Sequence, residues 1–298
     1  MNKEQVRGVR ILLVPYDRGP KGEGMGEGPI YLLEHGLVAE LRRRHSSLRI
    51  EAKEVRPRGR ERSGWDGAVA INLGLKDEVG RARDDGLLPL VIGGGCLVSL
   101  GAVAGLGSTE DLGILWFDAH GDLNTPETSP SGCIEGMPLA LLLGLFGHLI
   151  WRKLSGQPAL SVDRVILAAA RDLDPGEQSF IDSARLPFIG PDSLASEERE
   201  EEALSVARDW AGCCRKCYLH IDVDSIAITD VPAVMFPSPG GVPLARMQEL
   251  VSEVLPLPPV HCVSVTALYP DADRSERSAR SVISLIDLLI GRIARERP

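Results

Sequence analysis

No apolar run in this 298-residue chain approaches the ~18 residues that a membrane-spanning helix requires, which excludes a membrane partner of that kind. The opening MNKEQVRGVR also lacks the apolar stretch of a secretory signal, so the cytoplasm is the expected location. Positive charge is in deficit: 33 Lys and Arg face 42 Asp and Glu, a net charge of -9, which argues against nucleic acid or an anionic membrane as partner. A small molecule is the expected ligand.

Cysteine is scarce, with six residues (Cys96, Cys133, Cys213, Cys214, Cys217 and Cys262) that are not spaced as a disulfide framework, as suits a reducing compartment. Cys213, Cys214 and Cys217 read as half of a zinc site, but no second pair of ligands follows at matching spacing, so ordinary thiols are expected there. A phosphate loop of the GxxxxGKS kind is missing, and GPKGEGMGEG near the N-terminus does not join a strand to a helix at the required spacing. Internal repeats are absent too, and the Gly/Pro-rich pieces are loop-sized rather than linker-sized. One domain over residues 1–298 is therefore expected.

What the chain does contain is a succession of apolar, β-branched runs: residues 10–15, 48–55, 88–94, 113–120, 164–170, 186–190, 218–224 and 261–268. Most are continuous rather than alternating, as strands covered on both faces should be. Between them lie stretches of helical period at about 28–44, 67–82, 137–145, 174–183, 193–211 and 243–255, and an apolar segment after Cys96. A last helix at about 278–295 repeats Val282, Ile283, Leu285, Ile286, Leu289, Ile290 and Ile293 on one broad face. This alternation predicts a mostly parallel sheet with helices on both sides. In such sheets the ligand site lies beyond the carboxyl ends of the strands, so polar residues there carry the most weight.

Two strand ends carry dense chemistry. GILWFDAH runs into GDLNTPETSPSG and delivers Asp118, His120 and Asp122, the first two on one face because strand residues two apart point the same way. YLHIDVD places His220, Asp222 and Asp224 together by the same alternation. Burying such groups unpaired is expensive, so a metal, an ion-pair network or a catalytic role must offset it. Hard oxygen ligands with a few imidazoles suit manganese-like or magnesium-like ions. A third element, VIGGGC, follows a strand and precedes a helix, so Cys96 joins the other two clusters if neighbouring strands end together. From spacing alone an inert buried thiol is equally compatible with that placement.

These residues resemble the ureohydrolase family of arginases, agmatinases and formimidoylglutamases. DAHGDLNTPETSPSG is similar to that family's central metal motif, DVD at Asp222 to Asp224 to a second, and GGGC to its GGDH motif. RDLDPGE at Arg171 to Glu177 resembles the segment that contacts the substrate's amino group. The order holds from about Ile11 to the final helix. The resemblance implies a three-layer α/β/α fold with an eight-stranded, mostly parallel sheet. It implies a homo-oligomer, trimer or hexamer, and two manganese ions with a metal-bound hydroxide that cleaves the C–N bond of a guanidino substrate. By position, Asp118, His120, Asp222 and Asp224 match one ion's ligands, and Asp118, Asp122 and Asp222 match three of the other's, with Cys96 at the remaining place. Asp122 also matches the acceptor of a hydrogen bond from the hydroxide. Asn124, Ser129 and Ser131 match positions that hold the α-carboxylate of arginine, and Asp174 and Glu177 match positions around its α-amino group.

Three positions depart from the pattern. Cys96 stands where the family has a histidine ligand, a softer donor that either binds as thiolate, weakens or empties one ion site, or admits zinc. Glu135 stands where arginase has a histidine proton shuttle, and Ala267 where it has a glutamate that grips the guanidinium. Together they suggest that Glu135 supplies the negative charge Ala267 lacks, and that a less basic guanidine such as Nω-hydroxyarginine is accepted. His220, on the ligand face, is read as sitting behind a ligand rather than as a spare ligand itself. The competing reading is a catalytically degenerate protein of this fold, acting as a regulatory subunit or an amino-acid sensor. Against it, carboxylates crowded in a metal-free pocket would repel one another at a cost in stability.

Overall fold

The computed structural model describes residues 6–59 and 63–296. Eight strands, β1 (Gly8–Val14), β2 (Arg49–Glu54), β3 (Leu87–Gly93), β4 (Leu112–Phe117), β5 (Val165–Ala168), β6 (Phe188–Ile189), β7 (Lys216–Asp222) and β8 (Val260–Thr266), form one sheet in the order β2-β1-β3-β8-β7-β4-β5-β6. Every pairing is parallel. The interior strands β1, β3, β4 and β5 are buried at every position, which is why they read as unbroken apolar runs, whereas edge strand β2 keeps polar residues toward solvent.

Successive residues of a strand feed opposite layers. Leu115 and Phe117 pack into one core with Leu219, Ile221, Val263 and Val265, while Ile114 and Trp116 pack into the other with Leu12, Val91, Tyr218 and Cys262. The helices that cover the two faces are α1 (Gly28–Glu34), α2 (Leu37–Arg44), α3 (Gly64–Asp84), α4 (Val98–Gly105), α5 (Pro138–Leu142), α6 (His148–Ser155), α7 (Pro175–Ala184), α8 (Pro191–Ala195), α9 (Glu200–Cys213), α10 (Leu244–Glu249) and α11 (Arg277–Glu296). On α11 the expected apolar face is buried at Val282, Leu285, Ile286, Leu289, Ile290 and Ile293, each contributing about 1.5–3 kcal/mol before entropy is counted. No helix among the described residues is long and apolar enough to cross a membrane.

Several helical stretches differ from the sequence expectation for identifiable reasons. The stretch at 28–44 is two helices, because Gly36 takes φ +92° and turns the chain between them. The stretch at 193–211 is α8, a 3-10 turn at Glu197–Arg199, and α9; Ser196 is extended and its hydroxyl accepts the N–H of Glu198. That at 137–145 is only the five residues of α5, and α6, short and set between Gly147 and Gly156 in left-handed conformation, was not expected. That at 243–255 loosens after α10 into a π-turn over Leu250–Val254.

The chain order of the strands creates the site. After β3 the chain skips two places to β4, runs outward through β5 and β6, and returns to fill the gap with β7 and β8. The carboxyl ends of β3, β8, β7 and β4 therefore lie side by side, in register at Gly93, Thr266 and Asp222, with Ile221 opposite Phe117. The polar residues that follow those ends converge.

Candidate functional site

A cavity of about 690 Å³ opens over these strand ends. All but one of the site residues singled out in the sequence line it: Cys96 beyond β3, Asp118, His120 and Asp122 beyond β4, Asn124, Ser129, Ser131 and Glu135 on the following loop, Asp174 and Glu177 at the start of α7, and Asp222 and Asp224 at the end of β7. His220, one turn of the pleat deeper, lies behind this wall and is fully inaccessible to solvent.

The floor is a closed lattice of carboxylates. Asp118 accepts from the indole N–H of Trp116 (3.1 Å) and from the backbone N–H of His120 (2.7 Å). Asp224 accepts the N–H of Ala119 at 3.0 Å and itself donates its N–H to Asp222 at 2.9 Å, which ties the two strand ends together. The imidazole Nδ1 of His120 stands 3.3 Å from Asp118 and 3.1 Å from Asp224. The thiol of Cys96 reaches Asp222 Oδ2 at 3.0 Å. Asp122 takes a left-handed backbone, φ +53°, which turns the chain out of the sheet, and its Oδ2 is buried with no hydrogen-bond partner among the described residues. Such an orphan buried oxygen is costly unless something outside the chain satisfies it.

Electrostatics say the same. Burial opposes the charging of His120, but its hydrogen bonds to Asp118 and Asp224 outweigh that and push its pKa up to about 12. Burial, and then the neighbouring carboxylates, raise Asp118, Asp122 and Asp222 above the usual carboxylate range. Burial would also raise Asp224, yet the His120 contact holds it low. Burial, and then Asp222, pushes the Cys96 thiol well up. The His120 imidazolium and, through space, the Arg171 guanidinium are the cations that face these acids, and Asp118, Asp122 and Asp222 remain raised despite them, an arrangement suited to further positive charge.

The donors meet the requirement for divalent cations. Among the described residues, Asp118, His120 and Asp224 present ligand atoms within 4.8 Å of one another, and so do Cys96, Asp118 and His220. Asp118 belongs to both groups.

On the upper wall the polar groups divide into free and committed. The hydroxyls of half-buried Ser129 and exposed Ser131 accept the backbone N–H groups of Gly132 (3.0 Å) and Cys133 (3.2 Å) and stand 3.5 Å from each other, which leaves at least one hydroxyl hydrogen to donate elsewhere. Asn124 is committed: its amide donates to Asp174 at 2.8 Å and accepts from Thr128 at 3.0 Å. Glu177 closes a capping box, its two carboxylate oxygens accepting the backbone N–H groups of Leu123 and Asp174, both at 2.9 Å. It is a positioning group for the loop that carries Asp122 and Asn124. Glu135 is buried, and its carboxylate accepts the N–H of Leu97 at 2.9 Å. A Cβ placed on Gly95 would lie 2.4 Å from Glu135 Oε2, so the missing side chain at 95 is what makes room for this carboxylate. Burial, and then Asp17, raises Glu135 to about 8. Ala267, beyond β8, lines the same cavity.

Three neighbours were not singled out in the sequence. Arg171 donates to the backbone carbonyls of Asp224 (2.8 Å), Ser238 (3.1 Å) and Pro239 (2.9 Å), stapling a lining loop to the metal-type strand end. Arg18 stands at the cavity mouth with its guanidinium 5.6 Å from the centroid of the Phe236 ring. Arg18 had a signal, since it follows the carboxyl end of β1; Phe236, on an irregular loop, had none.

Comparison with known proteins agrees with this architecture. The family model described as Arginase family matches residues 7–291. The arginase of Bacillus caldovelox is 31% identical over 299 residues, covering 95% of this chain and 98% of that one, and the arginase of Brevibacillus brevis is 30% identical over 304 residues, covering 98% and 99%. Among solved structures, Entamoeba histolytica arginase in complex with L-ornithine superposes with a TM-score of 0.83 at 25% identity, covering 97% of this chain and 100% of that one. The chain belongs to the arginase family.

Proposed function

We propose that this protein is a metal-dependent amidinohydrolase, which adds water across a C–N bond of an arginine-like guanidino group and releases a urea and an amine. The observation that carries the reading is the shared Asp118 at the floor of a cavity whose walls bear polar groups suited to an α-amino acid. Asp118, His120, Asp122, Asp222 and Asp224, with Cys96, would hold two divalent ions, manganese being the expected kind. When bound, the ions would supply Lewis acidity that lowers the pKa of a water molecule and so makes it nucleophilic at neutral pH.

The chain's own groups do the rest. Asp122 Oδ2, buried and unpartnered, accepts a hydrogen bond from the attacking water and orients it. Ser129 and Ser131 donate to the substrate α-carboxylate, and Asp174, held by Asn124, receives the α-ammonium group. Glu177 acts on the same subsite by fixing the backbone of Asp174. The amino acid named in the Entamoeba histolytica complex, L-ornithine, is what arginine becomes when its guanidino carbon is lost as urea.

Glu135 takes over the polar work at the guanidino end. It shares the cavity with Ala267, and in the metal-free protein its pKa is raised to about 8, which suits a group that both releases and returns a proton. A guanidine of reduced basicity, such as Nω-hydroxyarginine, asks less of a fixed anion than arginine does. The test is release of urea or hydroxyurea from arginine, agmatine and Nω-hydroxyarginine by the manganese-loaded protein, with Glu135→Gln as comparison. Turnover of at least one guanidine, abolished in Glu135→Gln at unchanged metal content, is expected. Absence of turnover with all three would overturn the reading.

A further inference from the structure

The GGGC turn lacks an imidazole at position 96, and the fold brings one there from a different strand. His220 Nε2 lies 3.3 Å from Cys96 Sγ, and Cys96 Sγ lies 3.8 Å from Asp118 Oδ2. Donors held at about 2.0–2.3 Å around a tetrahedral ion lie about 3.3–3.8 Å apart along each edge; both of these separations fall in that range, and the three donor atoms all lie within 4.8 Å of one another.

The ring is also oriented as a ligand's would be. Its Nδ1 is 3.1 Å from the hydroxyl of Tyr218, which in turn is 2.7 Å from Ser264, and its face stacks on Trp116 at 3.7 Å. With Nδ1 donating to Tyr218, the Nε2 lone pair faces Cys96 and, at 3.4 Å, Thr266. Trp116, which packs on the ring, donates to the same Asp118 oxygen that faces Cys96. Independently, the buried Asp122 Oδ2 in the same cavity has no hydrogen-bond partner among the described residues, as expected where a bound ion's water is to be satisfied.

We propose that the two metal positions are chemically different: Cys96, His220 and Asp118 form a nitrogen–sulfur–oxygen site for a thiophilic ion such as zinc, while Asp118, His120 and Asp224 form a site for manganese. This rests on the metal-dependent reading above and sharpens it. Thiolate and imidazole select zinc or cobalt over manganese, and carboxylates do the reverse, so one shared carboxylate joins two sites of opposite preference.

The experiment uses the full chain stripped with chelator and reloaded with excess manganese and one equivalent of cobalt(II). The expected result is a thiolate-to-cobalt charge-transfer absorption in the near ultraviolet that excess manganese does not erase and one equivalent of zinc does. Cys96→Ser should abolish the band and weaken zinc binding at least tenfold, His220→Ala should weaken it comparably, and Cys213→Ser should leave it intact. Cys96→His, which restores a nitrogen donor, guards against misfolding of the serine variant: it should bind two manganese ions and give no band. No band in the wild type, a band that survives Cys96→Ser, or full displacement of cobalt by manganese would overturn the proposal. Turnover without the band would sink this inference and leave the hydrolase standing; the band without turnover of any guanidine would do the opposite.

Discussion

Replacing Glu135 with glutamine removes one buried acid while keeping its shape and its acceptor for the Leu97 N–H. In the metal-free protein this carboxyl is pushed from 4.5 up to about 8, by burial first and by Asp17 second. An acid whose pKa is raised on folding binds its proton more tightly in the folded state. Its contribution is therefore intact below the unfolded pKa, is lost as pH rises from 4.5 to 8, and changes no further above that. Within the window each pH unit takes about 1.4 kcal/mol from the wild type and nothing from the variant at this position. At pH 7 the difference reaches about 3 kcal/mol, or roughly 6 °C in melting temperature for a chain of this size. The neighbouring raised acids, Asp118, Asp122 and Asp222, slope the same way in both proteins and cancel in the comparison. The assay is thermal melting of wild type and Glu135→Gln in chelator at half-unit steps from pH 5 to 9. The curves should converge at the acid end and diverge upward, with the variant the more stable. Parallel curves across that range would refute the assignment of a buried, proton-holding Glu135.

Divalent ions should themselves stabilise: at a free concentration about a hundredfold above Kd the gain is about 2.7 kcal/mol, and it should grow with pH because protons compete for Asp122 and Asp222; melting with and without manganese at pH 6 and 8 checks the sign. Trp116→Phe keeps an aromatic ring on His220 but removes the N–H that holds Asp118, so divalent affinity should fall about 10–100-fold, as titration against a chelating dye would measure. Arg171→Ala releases the carbonyls of Asp224, Ser238 and Pro239 and should lower stability by about 2–3 kcal/mol, read in urea unfolding. The double variant Ser129→Ala, Ser131→Ala should raise KM for an α-amino acid guanidine roughly tenfold at unchanged kcat and leave agmatine, which has no carboxylate, unaffected.

The sheet was legible because its physics is one-dimensional. A parallel strand buried on both faces must be apolar at successive positions, so Ile11, Leu90, Leu115 and Leu219 announce their strands without knowledge of any neighbour. Helix boundaries were less legible where a single residue decides them. Gly36 in left-handed conformation divides 28–44, and Ser196 offers its own hydroxyl to the backbone and divides 193–211.

The site divides along the same line. Asp118, His120, Asp122, Asp222 and Asp224 were visible as strand-end clusters because each cluster is local in sequence. What the sequence hides is which clusters touch. Whether Cys96 meets His220 depends on β8 lying between β3 and β7 and on Thr266 pairing level with both Gly93 and Asp222. That order follows from the return of the chain through the middle of the sheet, a property of the whole fold. The same holds for Gly95 and Glu135, which no spacing rule connects, yet a methyl group on the first would collide with the carboxylate of the second. Read in sequence, the turn has lost a histidine ligand; read in space, a carboxylate from Glu135 and an imidazole from His220 stand beside positions 95 and 96. A protein that held no metal would have no reason to keep Cys96, His220 and Asp118 in one donor cluster. Cys96→His combined with His220→Ser, which returns the imidazole to the turn, should therefore hold metal better than His220→Ser by itself.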